Sequence, residues 1–260
     1  MKKYYVIGNP IEHSLSPELH NFWIKKNDIN AVYEKIKLEE NDLEDFINKI
    51  RNDEIHGANV TVPFKNKVIK YLDKLSLEVE TTDSVNTIYK SGKSIIGHNT
   101  DVAGFELGLR HSKINVLHKS IFILGAGGVV PSIIFSLLSM GCKKILVSNR
   151  TIEKVESLKK KFHEIEIIKW GEIPEFDIVI NATSVGLKGD SLDLSLNVRD
   201  KIFYDVIYNP KETPFLKKAK ENGNKTENGK FMFIYQANQS FSIWNNMIPK
   251  IDDEVIKILE

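Results

Sequence analysis

The stretch from Ser120 to Cys142 constrains the fold more than any other part of the sequence, because it contains no charged residue. Its length would allow one membrane span, but four glycines and Pro131 interrupt it. Ile121 to Leu124 forms a short apolar run that ends in Gly125-Ala126-Gly127-Gly128 and precedes a mostly aliphatic segment. This order is typical of a buried strand, a tight turn and a buried helix, so we interpret it as part of an α/β unit without membrane association.

Short β-branched or aromatic runs alternate with segments of helical period along the rest of the chain. In the second half, strands are predicted at Ile121 to Leu124, Lys144 to Ser148, Ile165 to Ile168, Ile178 to Asn181 and Ile202 to Asp205. This alternation predicts a Rossmann-like, doubly wound parallel sheet. In the first half, strands are predicted at Tyr4 to Ile7, Ala31 to Lys37 and Ala58 to Val62, with a hairpin around Gly92 that joins Ile88-Tyr89 to Ile95-Ile96.

Two helices complete the first-half pattern. Leu43, Phe46, Ile47 and Ile50 follow the spacing of one helical face, and the segment from Val102 to Arg110 also has helical character. We therefore predict a first α/β domain and place a domain hinge near residue 101. The length of 260 residues agrees with two domains, at about 150 residues for each.

Composition limits the partners. The 36 basic and 35 acidic residues nearly cancel, so no global charge would hold the protein on nucleic acid or an anionic membrane. A small-molecule partner is favoured instead. Cys142 is the one cysteine and no metal-ligand cluster is visible, which favours the reducing cytoplasm. The apolar run Tyr4 to Ile7 ends too early, at Gly8-Asn9-Pro10, to predict a signal peptide.

The glycine turn carries the first chemical signal. Gly125-Ala126-Gly127 would let backbone N–H groups and the positive end of a helix face a pyrophosphate. Val130 stands where the usual fingerprint has its third glycine, and Pro131 is compatible with the first turn of a helix. By itself this motif is equally typical of a structural turn.

The next predicted strand ends in Ser148-Asn149-Arg150-Thr151. NAD-binding folds place an acidic residue about 20 residues after the glycine turn, against the ribose 2'-hydroxyl. Arg150 would instead bind a 2'-phosphate, which a carboxylate would repel. The sequence therefore predicts NADP as the cofactor, with an ordinary solvated arginine as the alternative.

The first half places polar residues at strand ends and turns. Ser14 and Ser16 precede Pro17 at a predicted helix start, where their hydroxyls could cap the helix or bind a small anion. Period two puts Asn59 and Thr61 on one side of a strand that Pro63 would end. Lys65 follows, and a single lysine there is most often solvated.

Together these motifs resemble the shikimate dehydrogenase family, which reduces 3-dehydroshikimate to shikimate with NADPH. The resemblance runs nearly from end to end and rests on residues 8–17, 59–65, 86–87, 99–105, 125–128, 149–151, 181–186, 204–210 and 236–237. It implies an N-terminal substrate domain, residues 1–101 completed by helices in 237–260. It also implies an NADP-binding domain, residues 102–236, with the active site in the cleft between the two.

The resemblance also implies roles for individual residues. Lys65 and Asp101 match the catalytic pair. The residues that match substrate-binding positions are Ser14, Ser16, Asn59, Thr61, Asn86, Tyr208 and Gln236. Those that match cofactor-binding positions are Gly125, Ala126, Gly127, Gly128, Asn149, Arg150, Thr151, Lys154, Thr183, Gly229 and Met232. No metal site is implied.

The chain departs from the family pattern at Val129 to Ser132 and at Asn238. Three alternative functions stay open: a quinate or dual quinate/shikimate dehydrogenase that uses NAD, another two-domain enzyme such as methylenetetrahydrofolate dehydrogenase, and a catalytically silent NADP-binding regulator. Arg150 disfavours the first, the Ser14-Leu15-Ser16 segment the second, and the presence of both Lys65 and Asp101 the third. Whether the protein is a monomer or a homodimer is left open by the sequence.

Overall fold

The computed structural model describes residues 1–259, which form two compact units. The first unit contains Met1–Gly104 and the chain from Ile234 onward, and the second contains Phe105–Phe233. Both boundaries fall inside helices, α4 (Thr100–His111) and α8 (Lys230–Asn245).

The first unit is built on a six-stranded sheet. Its strands are β1 (Lys2–Gly8), β2 (Ala31–Lys37), β3 (Gly57–Val60), β4 (Lys74–Leu75), β5 (Thr87–Ser91) and β6 (Ser94–His98), in the spatial order β2-β1-β3-β5-β6-β4. Its helices, besides parts of α4 and α8, are α1 (Ser16–Lys26), α2 (Leu43–Arg51), α3 (Leu77–Thr82) and α9 (Asp253–Ile258). Two short 3-10 helices occupy Glu40–Asp42 and Ile69–Tyr71.

The apolar face predicted for α2 forms the centre of this unit. Leu43, Phe46, Ile47 and Ile50 are all buried, in one cluster with Ile7 and Val60 from the sheet. Burying a side chain of this size contributes about 1.5–3 kcal/mol. The predicted hairpin is also confirmed, since β5 and β6 pair antiparallel from Thr87 and His98 to Ser91 and Ser94.

The strand predicted at Ala58 to Val62 ends earlier, at Val60. The Thr61 N–H still donates to Ile7 O at 2.9 Å, but Phe64 N–H then donates back to Thr61 O at 3.0 Å, which closes a turn. Pro63 has no N–H to donate to a continuing ladder, so the chain leaves the sheet here. Thr61 consequently lies in a turn rather than within the strand.

The second unit contains the other six strands, which pair only in parallel among the residues described. They are β7 (Ser120–Leu124), β8 (Lys144–Ser148), β9 (Ile165–Ile167), β10 (Ile178–Asn181), β11 (Ile202–Asp205) and β12 (Lys225–Glu227), in the order β12-β11-β10-β7-β8-β9. The helices α5 (Val130–Ser139), α6 (Ile152–Lys161) and α7 (Pro214–Glu221) connect them, with a further part of the unit in α4 and α8. This is the doubly wound order of a dinucleotide-binding fold, so the predicted fold class is confirmed.

The uncharged stretch from Ser120 to Cys142 forms β7 and α5. Among its buried residues, Ile121, Ile123, Ile133 and Leu137 lie in the main apolar cluster of this unit, whereas Phe122 and Leu124 lie in a second cluster. Across residues 1–259, no helix combines the length and the apolar character needed to cross a bilayer.

Candidate active site

Each unit has a place where the strand order reverses between parallel neighbours, and in an open α/β sheet ligands bind at such a point beyond the carboxyl ends of the strands. In the first unit it lies between β1 and β3. The Asn9 N–H donates to Val62 O at 3.0 Å, and a Cβ added to Gly8 would lie 2.5 Å from Thr61 Cγ2. The loops that carry Gly8 and Thr61 are therefore neighbours at this edge.

Lys65 and Asp101 form an ion pair between Lys65 Nζ and Asp101 Oδ2. Their side chains are only 15% and 9% exposed, so the pair is largely withdrawn from water. The other carboxylate oxygen, Asp101 Oδ1, accepts from Asn86 Nδ2 at 2.9 Å. Asp101 lies in the first turn of α4, where the positive end of the helix dipole favours its negative charge. The first unit thus brings together three residues predicted to belong to the site.

A buried amide and hydroxyl network holds Asn86 in place. Its Oδ1 accepts from the Thr100 N–H at 2.7 Å and from the Thr87 hydroxyl at 3.0 Å. The Asn99 side chain accepts from the Asp101 N–H at 3.0 Å. Thr87, Asn99 and Thr100 are at most 1% exposed.

The sequence prediction missed Thr87, Asn99 and Thr100. Their signal was present, because the dipeptide Asn-Thr occurs both at 86–87 and at 99–100. The two copies flank the β5–β6 hairpin, whose pairing brings its two ends together. A repeated polar dipeptide at the open end of a hairpin therefore indicates a buried polar network.

Asn59 has most of its hydrogen-bonding capacity committed within the protein. Its Nδ2 donates to Asn86 O at 3.0 Å and to Thr87 Oγ1 at 3.2 Å, and its Oδ1 accepts from the Tyr33 hydroxyl at 2.7 Å. An amide has two N–H donors and one oxygen with two lone pairs. Asn59 is thus left with one further acceptor position, on Oδ1.

Tyr33 packs against a buried histidine. The ring of His20 stacks on Tyr33 with a centroid distance of 4.2 Å and an interplanar angle of 3°. Burial lowers the pKa of His20 to about 3, so this ring is neutral at physiological pH. Neither His20 nitrogen has a hydrogen-bond partner within the described residues. The ring therefore contributes through aromatic packing and not through hydrogen bonds.

The serine pair lies at the start of α1. Leu15, rather than a serine, occupies the N-cap position, and the Ser14 hydroxyl accepts from the Ser16 N–H at 3.3 Å. Ser16 is buried and Ser14 is half-buried. Gln236 is half-buried in the part of α8 that belongs to the first unit. Tyr208 belongs to the second unit, where its ring stacks on Phe233 with centroids 4.3 Å apart.

In the second unit the strand order reverses between β7 and β10. Gly125 has a φ of +114°, and a Cβ there would lie 2.7 Å from Ala182 O, so this glycine is required by the backbone. A Cβ at Gly127 would meet only Ala182 O at 4.0 Å, and one at Gly128 would meet nothing within 4 Å. Gly127 and Gly128 therefore leave open space beside the backbone. Ala126, which stands between Gly125 and Gly127 in the chain, is half-buried.

The segment after β8 presents polar and charged groups to solvent. Arg150 is exposed, and its Cζ lies 5.5 Å from the centroid of the Trp170 ring. Thr151 is the N-cap residue of α6 but its side chain makes no capping hydrogen bond. Asn149 Nδ2 and the Lys154 N–H both donate to Thr151 O, at 2.9 and 3.3 Å. The open glycine turn and this exposed cation fit the pyrophosphate and the 2'-phosphate of NADP.

Thr183 follows β10 and is held by Asn181. Asn181 Oδ1 accepts from the Thr183 hydroxyl at 2.7 Å, and Asn181 Nδ2 donates to Asp205 Oδ2 at 3.1 Å. Asp205 is fully buried and also accepts from the Thr213 hydroxyl at 2.6 Å and the Ile207 N–H at 3.0 Å. Burial raises the pKa of Asp205 to about 6, against the opposing effect of these hydrogen bonds. The sequence prediction missed Asp205 and Thr213.

Gly229 and Met232 have structural reasons for their identity. A Cβ at Gly229 would lie 2.1 Å from Val206 O, so no other residue fits without a backbone shift. Met232 is 6% exposed and packs in the main apolar cluster of the second unit.

The departures from the family pattern are buried at three of their five positions, whereas Val129 and Pro131 are half-buried. Val130 and Ser132 are fully buried at the start of α5. Asn238 is also buried, and its Nδ2 donates to Pro249 O at 2.8 Å, which ties α8 to the segment before α9. No group of three His, Cys, Asp or Glu side chains within residues 1–259 is arranged to hold a metal ion.

A doubly wound dinucleotide-binding unit, joined to a unit that buries a lysine–aspartate pair, defines a two-domain α/β dehydrogenase. Two family profiles match the chain: "Shikimate dehydrogenase substrate binding domain" over residues 6–88 and "Shikimate / quinate 5-dehydrogenase" over residues 108–187. The chain belongs to the shikimate dehydrogenase family.

Individual relatives cover the chain along its whole length. Shikimate dehydrogenase (NADP(+)) of Pelagibacter ubique is 56% identical over all of this chain and 99% of the relative. The crystal structure of shikimate 5-dehydrogenase from Thermus thermophilus in complex with NADP(H) and shikimate has a TM-score of 0.89 at 28% identity, with 100% and 97% of the two chains covered. The enzyme from Listeria monocytogenes in complex with shikimate and NAD has a TM-score of 0.91 at 31% identity, with 100% and 96% covered.

Proposed function

We propose that this chain catalyses the reversible NADPH-dependent reduction of 3-dehydroshikimate to shikimate, in the biosynthesis of chorismate and the aromatic amino acids. The observation that carries this proposal is the withdrawn Lys65–Asp101 pair, in a chain of this family whose second unit has an open glycine turn and an exposed Arg150. Its single cysteine suits the reducing cytoplasm, where we place the reaction.

Lys65 is the proposed acid–base group. When bound, NADPH supplies the hydride for the carbonyl carbon of the substrate. The electron pair of the carbonyl double bond then moves to oxygen, and the Lys65 ammonium stabilises this charge and donates a proton to it. In the reverse direction the neutral amine accepts the hydroxyl proton. Asp101 orients Lys65, and Asn86 fixes the carboxylate of Asp101 through a 2.9 Å hydrogen bond.

The remaining side chains of the proposed site bind the substrate ring. We assign the substrate carboxylate to the Ser14 and Ser16 hydroxyls, and the ring hydroxyls to Asn59, Thr61, Asn86 and Gln236, with Tyr208 as a further contact. Buried and half-buried polar groups of this kind favour a polyhydroxylated ring, because an analogue that lacks one hydroxyl leaves a protein group without a partner. Asn59 contributes as an acceptor, since its two donors are engaged within the protein.

The cofactor is assigned to the second unit. The backbone at Gly125, Ala126, Gly127 and Gly128 would hold the pyrophosphate, and Asn149, Arg150, Thr151 and Lys154 the adenosine 2'-phosphate. Thr183, Gly229 and Met232 would lie near the nicotinamide. The open space at Gly127 and Gly128 supports the first assignment, and the exposure of Arg150 supports the second.

The test is a direct assay. Purified protein is mixed with shikimate or quinate and with NADP or NAD, and the absorbance of the reduced nicotinamide is followed. We expect the highest kcat/KM with shikimate and NADP. Faster turnover of quinate, or a preference for NAD, would instead favour the quinate/shikimate alternative, and absence of turnover in all four mixtures would contradict an enzymatic function.

A further inference from the structure

The ring of Trp170 lies beside the guanidinium of Arg150, with 5.5 Å between Arg150 Cζ and the ring centroid. Arg150 follows β8 and Trp170 follows β9, and these strands are parallel neighbours. The carboxyl ends of parallel strands meet at one edge of a sheet, so both residues lie at the edge where this fold binds its ligand.

Trp170 is anchored, whereas Arg150 is not buried. The Trp170 ring is half-buried and packs against the apolar cluster that contains Leu146 and Phe176. The Ile168 N–H donates to Val147 O at 2.9 Å, which fixes the segment before Trp170 to β8. The tryptophan therefore offers a fixed surface to an exposed cation.

A cation within about 6 Å of an indole face is attracted by the negative electrostatic potential of the ring. The contact restricts the long Arg150 side chain before any ligand binds, and a group that is ordered in advance loses less entropy on binding. When an aromatic ring lies against the face of a guanidinium group, the N–H groups along the edge of the guanidinium stay available. They can then make paired hydrogen bonds with phosphate oxygens.

We propose that Trp170 is a positioning residue for the 2'-phosphate of NADP and acts through Arg150. This inference rests on the proposed function, because it requires that Arg150 binds the 2'-phosphate. Trp170 itself touches neither the substrate nor the reacting atoms.

The experiment compares two small probes, 2',5'-ADP and 5'-ADP, which differ in whether a phosphate is carried at the 2' position. Their affinities are measured by calorimetry for the wild type, Trp170→Phe and Trp170→Leu. Loss of an exposed cation–π contact corresponds to a change of about twofold to fivefold. We expect Trp170→Leu to bind 2',5'-ADP weaker by about this factor, Trp170→Phe to lie between, and 5'-ADP to bind all three proteins equally.

Two further readouts separate positioning from a general structural role. In the Arg150→Ala background, Trp170→Leu should cause no additional loss of 2',5'-ADP affinity, because the tryptophan acts through the arginine. In the intact enzyme, Trp170→Leu should raise the KM for NADPH while the KM for shikimate and the kcat stay unchanged.

The outcomes are distinguishable. If the wild type shows no preference for 2',5'-ADP over 5'-ADP, the NADP assignment fails and this inference fails with it. If the preference exists but is unchanged in Trp170→Leu, only this inference is overturned. Equal losses for both probes, or an additive loss with Arg150→Ala, would show that Trp170 supports the fold and not the 2'-phosphate site.

Discussion

Within residues 1–259, each unit buries one aspartate, and the two differ in what surrounds them. Asp101 in the first unit is paired with the Lys65 ammonium and held by Asn86. Asp205 in the second unit accepts from three neutral donors, on Thr213, Asn181 and Ile207. A paired cation can transfer a proton to a substrate, whereas neutral donors can only fix a carboxylate in place. The comparison therefore distinguishes Asp101, for which we propose a role beside the acid–base group, from Asp205, which holds a loop through neutral donors.

The same contrast extends to the cations. The first unit withdraws Lys65 from water, and the second leaves Arg150 exposed at the end of β8. Electrostatic stabilisation of a developing charge is strongest where water is excluded, so a withdrawn ammonium suits an acid–base group. A cofactor that must enter and leave is better bound by exposed groups and by open backbone.

The largest effect is expected when the cation of the Lys65–Asp101 pair is removed. Lys65→Ala should lower kcat by about 10²–10⁴-fold with little change in the KM for shikimate, because general acid–base catalysis acts in the transition state. Steady-state kinetics measure both constants. Lys67→Ala is the matched control, since Lys67 pairs with Glu40 on the surface and should have nearly normal turnover. Near-normal turnover of Lys65→Ala would remove Lys65 from the mechanism.

The next prediction concerns Asp205, the buried aspartate that is not paired with a cation. Its pKa is raised from 3.8 to about 6, so the folded state holds its proton more tightly than the unfolded state does. This contribution to stability is fully present below about pH 4 and is lost as the pH rises through about 6. At one pKa unit per 1.36 kcal/mol, the loss is about 3 kcal/mol.

Urea unfolding of the wild type and of Asp205→Asn between pH 4 and pH 7 measures this effect. The difference in the free energy of unfolding between the two proteins should change by about 3 kcal/mol across that range, because the variant cannot titrate at this position. A difference that is constant with pH would mean that the three donors fully compensate for burial.

The exposed cation of the second unit gives a smaller effect, on cofactor choice. Arg150→Asp should reduce the preference for NADPH over NADH by about 10–100-fold, since hydrogen bonds to charged groups contribute about 1.5–3 kcal/mol. The ratio of kcat/KM for the two cofactors measures it. Lys160→Asp makes the same change in charge on the exposed side of α6 and should leave the ratio nearly unchanged. An unaltered ratio in Arg150→Asp would refute the assignment.

The smallest expected effect distinguishes a glycine that the fold requires, Gly125, from a glycine that cofactor binding requires, Gly127. Gly127→Ala should leave the melting temperature unchanged, because the new methyl meets only Ala182 O at 4.0 Å. It should weaken NADPH binding by about tenfold, since the second glycine of this turn allows close approach of the pyrophosphate. Gly125→Ala should instead lower the melting temperature, as a Cβ there would lie 2.7 Å from Ala182 O at a φ of +114°. Equal cofactor affinity in Gly127→Ala would exclude close contact at this position.

The sequence by itself determined the features that depend on near neighbours in the chain. The predicted α2 face, the β5–β6 hairpin and the five second-half strands were confirmed because residue periodicity and turn residues act over a few positions. The end of β3 was predicted two residues too late, since the turn depends on a hydrogen bond from Phe64 to Thr61. The family and its motifs were also readable from the sequence, whereas the roles of the individual site residues stay predictions.

Only the tertiary structure decided which side chains meet. Lys65 and Asp101 are 36 positions apart, and the partners Asn181 and Asp205 are 24 apart. Trp170 gave no signal in the sequence and became relevant only through its contact with Arg150. The physical reason is that these contacts depend on strand order and register, which bring segments that are distant in the sequence to one edge of a sheet. A local sequence pattern contains no information about which distant segments become neighbours.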